Sequence, residues 1–534
     1  MMKARLLLII NTFFTAILMV GCASNQPLSD KAAIATSHPL ATQAGFRALD
    51  QGGNAFDAAV ASAAVLSVVS PYGAGLGGGS VWLLQHKSGD STWIDATETA
   101  PSQTSSININ STPAFLDTPV SAGIPGQPAA LAHISQHYGI RPLAANLADA
   151  IHIATRGFRV NKQYQQYAKQ RLNALEKTPS SPFLVNGAIP EKGTIIKQPT
   201  LAKTLEQLAR KGRHGFYQGD IAQRLVSEVN NGGGHWTLKD LNRYKIIERP
   251  AISFNYKDAV ITTSPPPSYS GISLLQTLKI LERLDAQQNA PDKTEDLLSH
   301  ILQNTDPRLA LWLGDPDFSP NSTYTQFTSD AYISQQSKKI EHSLIKAAPQ
   351  LVGGQPTTDY DNNEKFTPLI SILDKWGNKV SVSLSMNSPF GSSFMSSSTG
   401  VLLNNSLARF SNHQQNERSR QSPFADSNAI EPNKRPLTYM SPTLVKSAGS
   451  TAIIGVSSGL QTPTHLVYAI LNYMNGKPSN AWSQTPTFSQ TPEVKHSSPK
   501  ASSHTDMQVI RADKATGHIE ASSGIMGGGQ AIVR

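Results

Sequence analysis

A single cysteine, Cys22, occurs in 534 residues, and it sits close to the start of the chain. The body of the protein therefore has no internal disulfide, no thiol nucleophile and no cysteine metal site. A chain of this length buries enough core to do without disulfides, even in an oxidising compartment. The 14 histidines include no H-E-x-x-H or H-x-H spacing, so a metal enzyme is unsupported and most are read as surface residues. Charged residues make up only 16% of the chain. The net charge of +9 is scattered, with no basic run that would track phosphates, which argues against nucleic acid as a partner. The glycine-rich GLGGGS at 75–80 lacks the Lys-Ser/Thr of a phosphate loop, so no nucleotide cofactor is indicated.

The first segment that is clearly present is a leader. MMKARLLLIINTFFTAILMVGC places Lys3 and Arg5 before a mostly apolar run from Leu6 to Val20, then Gly21-Cys22. About fifteen residues are short for a bilayer span, and a basic start before an apolar run is an export pattern. The MVGC ending resembles a bacterial lipoprotein signal, which implies lipidation of Cys22 and a mature chain that starts there. Met19 is an unusual residue three before the cysteine, so cleavage by an ordinary signal peptidase is the alternative. The expected location is the bacterial cell envelope, lipid-anchored in the periplasm, with a soluble periplasmic protein as the other outcome.

Beyond residue 21, a polar tether is expected over 22–35. HPLATQAGFRALDQGG then carries Leu40, Ala44, Ala48 and Leu49 at helical spacing, with Gly52 as its stop. Asn54 can cap the alanine-rich NAFDAAVASAAVLSVV, with Asp57 in its first turn, and so many alanines predict close packing against a sheet. Helices dominate from Pro128 to Glu228. Strands are expected at AISFNY and DAVITTS, at LISILD and NKVSVSLSMN, and in the closing hairpin DMQVIRADKATGHIEASSG. Gln350–Lys365 reads as the least ordered stretch, with a second polar segment after Ser483. Strands in hairpins mixed with helices indicate an α+β layered fold of one large or two coupled domains.

Taken in order, ALDQGGNAFDAAVA, GLGGGSVWLL, IDATETAP, GIPGQPAALAH, PPPSYSG, DKWGNKV, GVLLNN, PNKRPLTYMSPTLV and the terminal GGGQA resemble the γ-glutamyltransferase family of N-terminal-nucleophile hydrolases. The resemblance implies a four-layer αββα sandwich. It also implies a precursor that cuts itself before a threonine, giving a large-subunit-like segment (36–366) and a small-subunit-like segment (367–534) that form one unit. No cofactor is implied.

A threonine hydroxyl needs a base to become nucleophilic, and an N-terminal threonine carries one in its own α-amine. The family's cleavage motif, T-T-H-x-S-V-V-D, fits TPLISILD without a gap, which makes Thr367 the candidate nucleophile, freed by a cut after Phe366. Pro368 and Leu369 depart from the motif. Ser385 stands where a supporting threonine is expected, Asn387 is retained, and Ser458-Gly459 stands where the oxyanion turn is expected. The groups that would grip a glutamyl substrate differ more. Thr97 replaces the arginine for the substrate carboxylate, Arg409 replaces the aspartate for its ammonium, and Thr438-Tyr439 replaces a serine pair. Charged hydrogen bonds contribute about 1.5–3 kcal/mol each, so losing two weakens glutamyl binding by about two to four powers of ten. Loss of a nucleophile costs far more, on the order of 10⁶ in turnover.

A looser pattern, Gly455-x-Ser457-x-Gly459 between a strand and a helix, fits a serine nucleophile elbow with Asp506 and His518 following in order. The expectation favoured here is a self-cleaving amidohydrolase or acyltransferase acting through Thr367. Its partner is a small-molecule or peptide substrate other than ordinary glutathione, with an anionic group facing Arg409. The alternative is a non-catalytic binder of a small ligand or peptide in the same pocket.

Overall fold

The structure, a computed structural model, describes residues 31–534 apart from 111, 179–180, 289–293, 304–308, 319–322, 346–365, 412–426, 484–504 and 525–527. The leader, Cys22, the polar stretch 350–365 and most of the second polar segment lie outside the described residues. No helix among the described residues is long and apolar enough to cross a membrane.

Two antiparallel sheets form the centre, with strands numbered in chain order. The first runs β15 (Gln530–Val533), β1 (Ala33–Thr36), β9 (Leu369–Leu373), β10 (Lys379–Ser385), β2 (Gly79–Gln85), β3 (Ser91–Ala96) and β6 (Ile247–Pro250). The second runs β14 (Ile519–Ser523), β13 (Asp506–Asp513), β12 (Ser450–Ser457), β11 (Thr443–Lys446), β8 (Ala259–Thr263) and β7 (Ile252–Tyr256). A short ribbon, β4 (Phe158–Arg159) with β5 (Ile195–Ile196), lies apart.

The layering follows from the two-residue period of strand side chains. Ile34, Trp82, Leu84 and Ile372 face the large helical side, which holds α1 (Pro39–Asp50), α2 (Ala55–Val69), α3 (Gln127–His137) and α4 (Leu143–Arg156). Their neighbours Ala33, Ala35, Leu83 and Leu373 point the other way and meet Leu444, Ile453 and Ile510 of the second sheet. The far face of that sheet is covered by α5 (Tyr269–Gln288) and α6 (Thr462–Met474). Helix, sheet, sheet, helix is the resulting order, the αββα sandwich.

All fifteen residues of α2 are buried, which its run of small side chains permits. Asn54 and Asp57 form a capping box at its start. The Asp374 carboxylate supports the same terminus, accepting from Ala55 N at 2.9 Å and Asn378 Nδ2 at 2.7 Å, which ties the β9–β10 turn to α2.

The tether reading needs correction at its end. Residues 33–36 form β1, an interior strand whose four residues are all buried. AIAT carries little strand signal alone. Its conformation is fixed by pairing with β9 and β15, both hundreds of residues away in sequence.

Candidate active site

Thr367 lies just ahead of β9, where the two sheets face one another. Its backbone nitrogen donates to Ser457 Oγ, at the end of β12, at 2.7 Å. Its hydroxyl forms no hydrogen bond with the described residues. The preceding Phe366 is buried, its ring 5.3 Å from that of Tyr72 and 5.6 Å from that of Tyr167. A Cβ on Gly73 would lie 2.6 Å from Pro368 Cδ and 2.8 Å from Phe366 Cδ1, so this close approach requires glycine there.

The β9–β10 ladder continues past its last assigned pair, Leu369 with Ser383, because Leu384 N donates to Pro368 O at 2.9 Å. The next pair along is Thr367 opposite Ser385. The same row continues through Gly79, paired with Ser385, to Thr97, which follows the Ser80–Ala96 pair. Directly opposed residues share a face, so Thr367, Ser385, Gly79 and Thr97 form one line across four strands. At about 4.8 Å per strand, Thr97 is about 14 Å from Thr367. Only a long side chain at 97 would reach toward Thr367. The Thr97 hydroxyl instead donates to Asp95 Oδ1 at 2.5 Å, and Asp95 also faces Arg435 Nε at 3.4 Å.

Arg409 closes the space above this row. It ends the 3-10 turn Ser406–Arg409, with Nε donating to Asn387 Oδ1 at 3.2 Å and Nη2 to Ser406 Oγ at 3.0 Å and Ser385 Oγ at 3.3 Å. Its Nη1 has no hydrogen-bond partner among the described residues. Asn387 has φ 69°, and its amide donates to Asn405 O at 3.1 Å and to Asn405 Oδ1 at 3.0 Å, which fixes the oxygen toward Arg409. Glu98 Oε2 lies 3.7 Å from Arg409 Nη2 and is fully buried. Burial pushes the Glu98 carboxyl up, and Arg409 pulls it back down. A Cβ on Gly79 would lie 2.9 Å from the Glu98 carboxyl, so the row needs glycine at that step.

The Ser458-Gly459 turn follows Ser457 directly. Gly459 has φ 53°, and neither amide N–H of the pair donates to a described residue. Two N–H groups without a described partner, one and two residues beyond the Thr367 contact, are what a developing oxyanion needs. Thr438 and Tyr439 belong to a different neighbourhood. Thr438 pairs with Ser268 and is buried, while the Tyr439 ring sits edge-on to Tyr269 at 5.7 Å. No described hydrogen bond joins either of them to Thr367.

The structure therefore brings together Thr367, Ser385, Asn387, Arg409 and the Ser458-Gly459 turn, and leaves Thr97 committed to Asp95. It overturns the serine-elbow pattern. Asp506 opens β13, whereas exposed His518 pairs with Asp513 at the other end of that strand, 3.5 Å from half-buried Glu520. Ser457 is instead the acceptor for Thr367. Glu98 was missed from sequence; an acid beside a pocket position carries no signal until its burial is seen. No group of three or more metal-ligating side chains exists among the described residues.

A sandwich of two facing antiparallel sheets between helical layers, with a strand-entry threonine beside paired amides, defines the N-terminal-nucleophile hydrolase class. Within it, the chain belongs to the gamma-glutamyltranspeptidase family, whose model matches residues 41–534. It is 32% identical to the glutathione hydrolase proenzyme of Escherichia coli (strain K12), over 82% of this chain and 77% of that one. It is 30% identical to the capsule biosynthesis protein CapD proenzyme of Bacillus anthracis, over 84% and 76% respectively. Among solved structures, cephalosporin acylase from Bacillus halodurans superposes with a TM-score of 0.79 at 23% identity, covering 94% of this chain and 96% of that one.

Proposed function

We propose that this chain is an autoprocessed amidohydrolase or acyltransferase in which a cut between Phe366 and Thr367 frees Thr367 as the nucleophile. The observation that supports it most is the placement of Thr367: backbone nitrogen held by Ser457, hydroxyl unengaged, and the Ser458 and Gly459 amides adjacent. After the cut, the α-amine takes the hydroxyl proton as the oxygen bonds to the acyl carbon. The Ser458 and Gly459 amides hold the oxyanion. The proton then passes to the departing amine, and water or an acceptor amine takes the acyl group.

The acyl donor carries an anionic group that meets Arg409 Nη1, and it lacks an ammonium there. A glutaryl amide fits that description; glutathione, the substrate in the names of several relatives, presents the ammonium that Arg409 repels. The protein is further proposed to be exported and held at the envelope by a lipid on Cys22.

Material purified from residue 23 onward tests the reading by gel and intact mass. Two fragments, the smaller beginning at Thr367, are expected, with hydrolysis of glutaryl p-nitroanilide exceeding that of the γ-glutamyl anilide. A chain that stays whole on prolonged incubation would remove the catalytic case. It would favour a non-catalytic binder, a second reading supported by the Thr97 hydroxyl being tied to Asp95 and by the reversed charge at Arg409.

A further inference from the structure

We propose that Asp506, acting through Ser457, holds a negative charge against the Thr367 α-amine and so governs when that amine is free to serve as the base. This rests on the reading of Thr367 as the freed nucleophile.

Ser457 and Asp506 are directly opposed in the β12–β13 ladder and share one face. That face is the one between the sheets. A Cβ on Gly455, two residues before Ser457, would contact Leu369 Cβ at 3.5 Å, and Ser371 Oγ on β9 donates to Gln508 O at 2.7 Å. Ser457 Oγ spends a lone pair on the Thr367 N–H, and no described residue accepts its own hydrogen. Asp506 is buried, with Oδ1 accepting from Gln508 Nε2 at 3.3 Å and Oδ2 without any partner among the described residues. An unpaired buried carboxyl oxygen calls for a reason. Here it stands across the ladder from a hydroxyl with a hydrogen to give, which in turn touches the nitrogen that does the chemistry.

Among the described residues, nothing opposes the charge of Asp506. Its own strand contributes the Gln508 amide, β12 contributes Ser457, and the end of β14 contributes Gly524, whose Cβ position is 2.8 Å from Oδ1. No Lys, Arg or His among the described residues bears on it. Tyr72, from the loop after α2, is the titratable group that faces it, and burial pushes that phenol up to about 12, so it stays neutral. Burial, partly offset by the Gln508 hydrogen bond, pushes Asp506 up to about 7. An ordinary α-amine titrates at about 7.7–8.0, so the two groups exchange protons with solvent in overlapping, coupled steps.

The step balances simply. Thr367 Oγ1 bonds to the acyl carbon, its hydrogen moves to the α-amine, and the ammonium so formed is stabilised through Ser457 by ionised Asp506. That proton later leaves on the departing amine. Asp506 touches neither substrate nor the reacting oxygen; it is a positioning residue.

Competitive labelling of the Thr367 amine with acetic anhydride across pH, followed by mass of the N-terminal peptide, reads the neutral amine without any substrate. In self-cleaved protein, Asp506→Asn is expected to lower the labelling midpoint by about one unit, and Asp506→Glu to keep it near wild type. Ser457→Ala should reproduce the Asp506→Asn shift. A cleaved, folded Asp506→Asn with an unmoved midpoint overturns the proposal and leaves Thr367 as nucleophile. If that variant does not fold or does not cut, Ser457→Ala decides in the same way. A wild type that never cuts overturns the Thr367 reading, and this proposal with it.

Discussion

The backbone nitrogen of Thr367 is held 2.7 Å from Ser457 Oγ while the chain is still continuous, so the two sheets are already joined at the proposed scission point. Thr367→Ala is expected to remain one chain on a gel, and Thr367→Ser to cut. Ser457→Ala loses one hydrogen bond of about 0.5–1.5 kcal/mol and should slow scission by about twofold to tenfold. Scission at the wild-type rate in Ser457→Ala would show that this contact does not orient the junction.

The charge arrangement around Arg409 gives a specificity prediction. On the family's pattern, Thr97→Arg with Arg409→Asp restores the two charges expected to hold a glutamyl group. It should raise kcat/KM for the γ-glutamyl anilide by about two to four powers of ten, mostly through KM. Arg409→Asp alone should gain much less, because the new carboxylate faces buried Glu98. A double variant with no gain on the glutamyl probe would mean that these positions do not contact substrate.

Gly73 packs against the junction from the α2 side, and a methyl group there meets Pro368 and Phe366. Gly73→Ala should therefore cost about 1–3 kcal/mol by overpacking and displace Phe366 from Tyr72 and Tyr167. Slower scission with little loss in circular dichroism is expected. Unchanged scission would mean that the Phe366 ring does not hold the scissile peptide.

Acid sensitivity follows from two buried imidazoles. Burial lowers His38 and His465 to about 4 from 6.5, so each is neutral in the fold and takes up a proton on unfolding. Their stabilisation is complete above pH 6.5 and is lost as pH falls toward 4, about 3 kcal/mol for each. His38 also caps α1, its Nδ1 accepting from Leu40 N at 3.2 Å, and protonation removes that acceptor. His38→Asn keeps an acceptor without the titration and should flatten urea midpoints between pH 4 and 6.5. An equally steep profile would place the acid lability elsewhere.

Asp506 acts in the opposite sense. Its folded value lies above its unfolded one, so its contribution is present at low pH and is lost as pH rises from 3.8 toward 7. Asp506→Asn should be the more stable protein at pH 8, by up to about 4 kcal/mol, and lose that advantage by pH 4. Urea midpoints at pH 4, 6.5 and 8 check this. A wild type more stable than the variant at pH 8 would mean that the carboxylate has a partner that compensates its burial.

Local sequence carried much of the fold. The α2 cap was legible because Asn54 and Asp57 act within one turn. The register around Thr367 was read through the family resemblance, whose match runs on to Asp374, Gly377 and Asn378, residues that form a turn beginning seven residues beyond it. The partner of the Thr367 nitrogen was not legible. Ser457 lies 90 residues away and, read from its neighbours alone, resembled a nucleophile, whereas Ser385 was placed only through the family resemblance.

Residue order by itself determined where most of the strands and helices fall and where residue 367 enters its strand. Those properties depend on side-chain period, turn chemistry and residue identity, all local. Only the tertiary structure decided that β1 is sheet, that Thr97 turns to Asp95, that Arg409 lies against Glu98, and that Asp506 stands behind Ser457. Each of these comes from pairing between distant strands and from burial, where a group that water would solvate is instead answered by the few side chains enclosed with it.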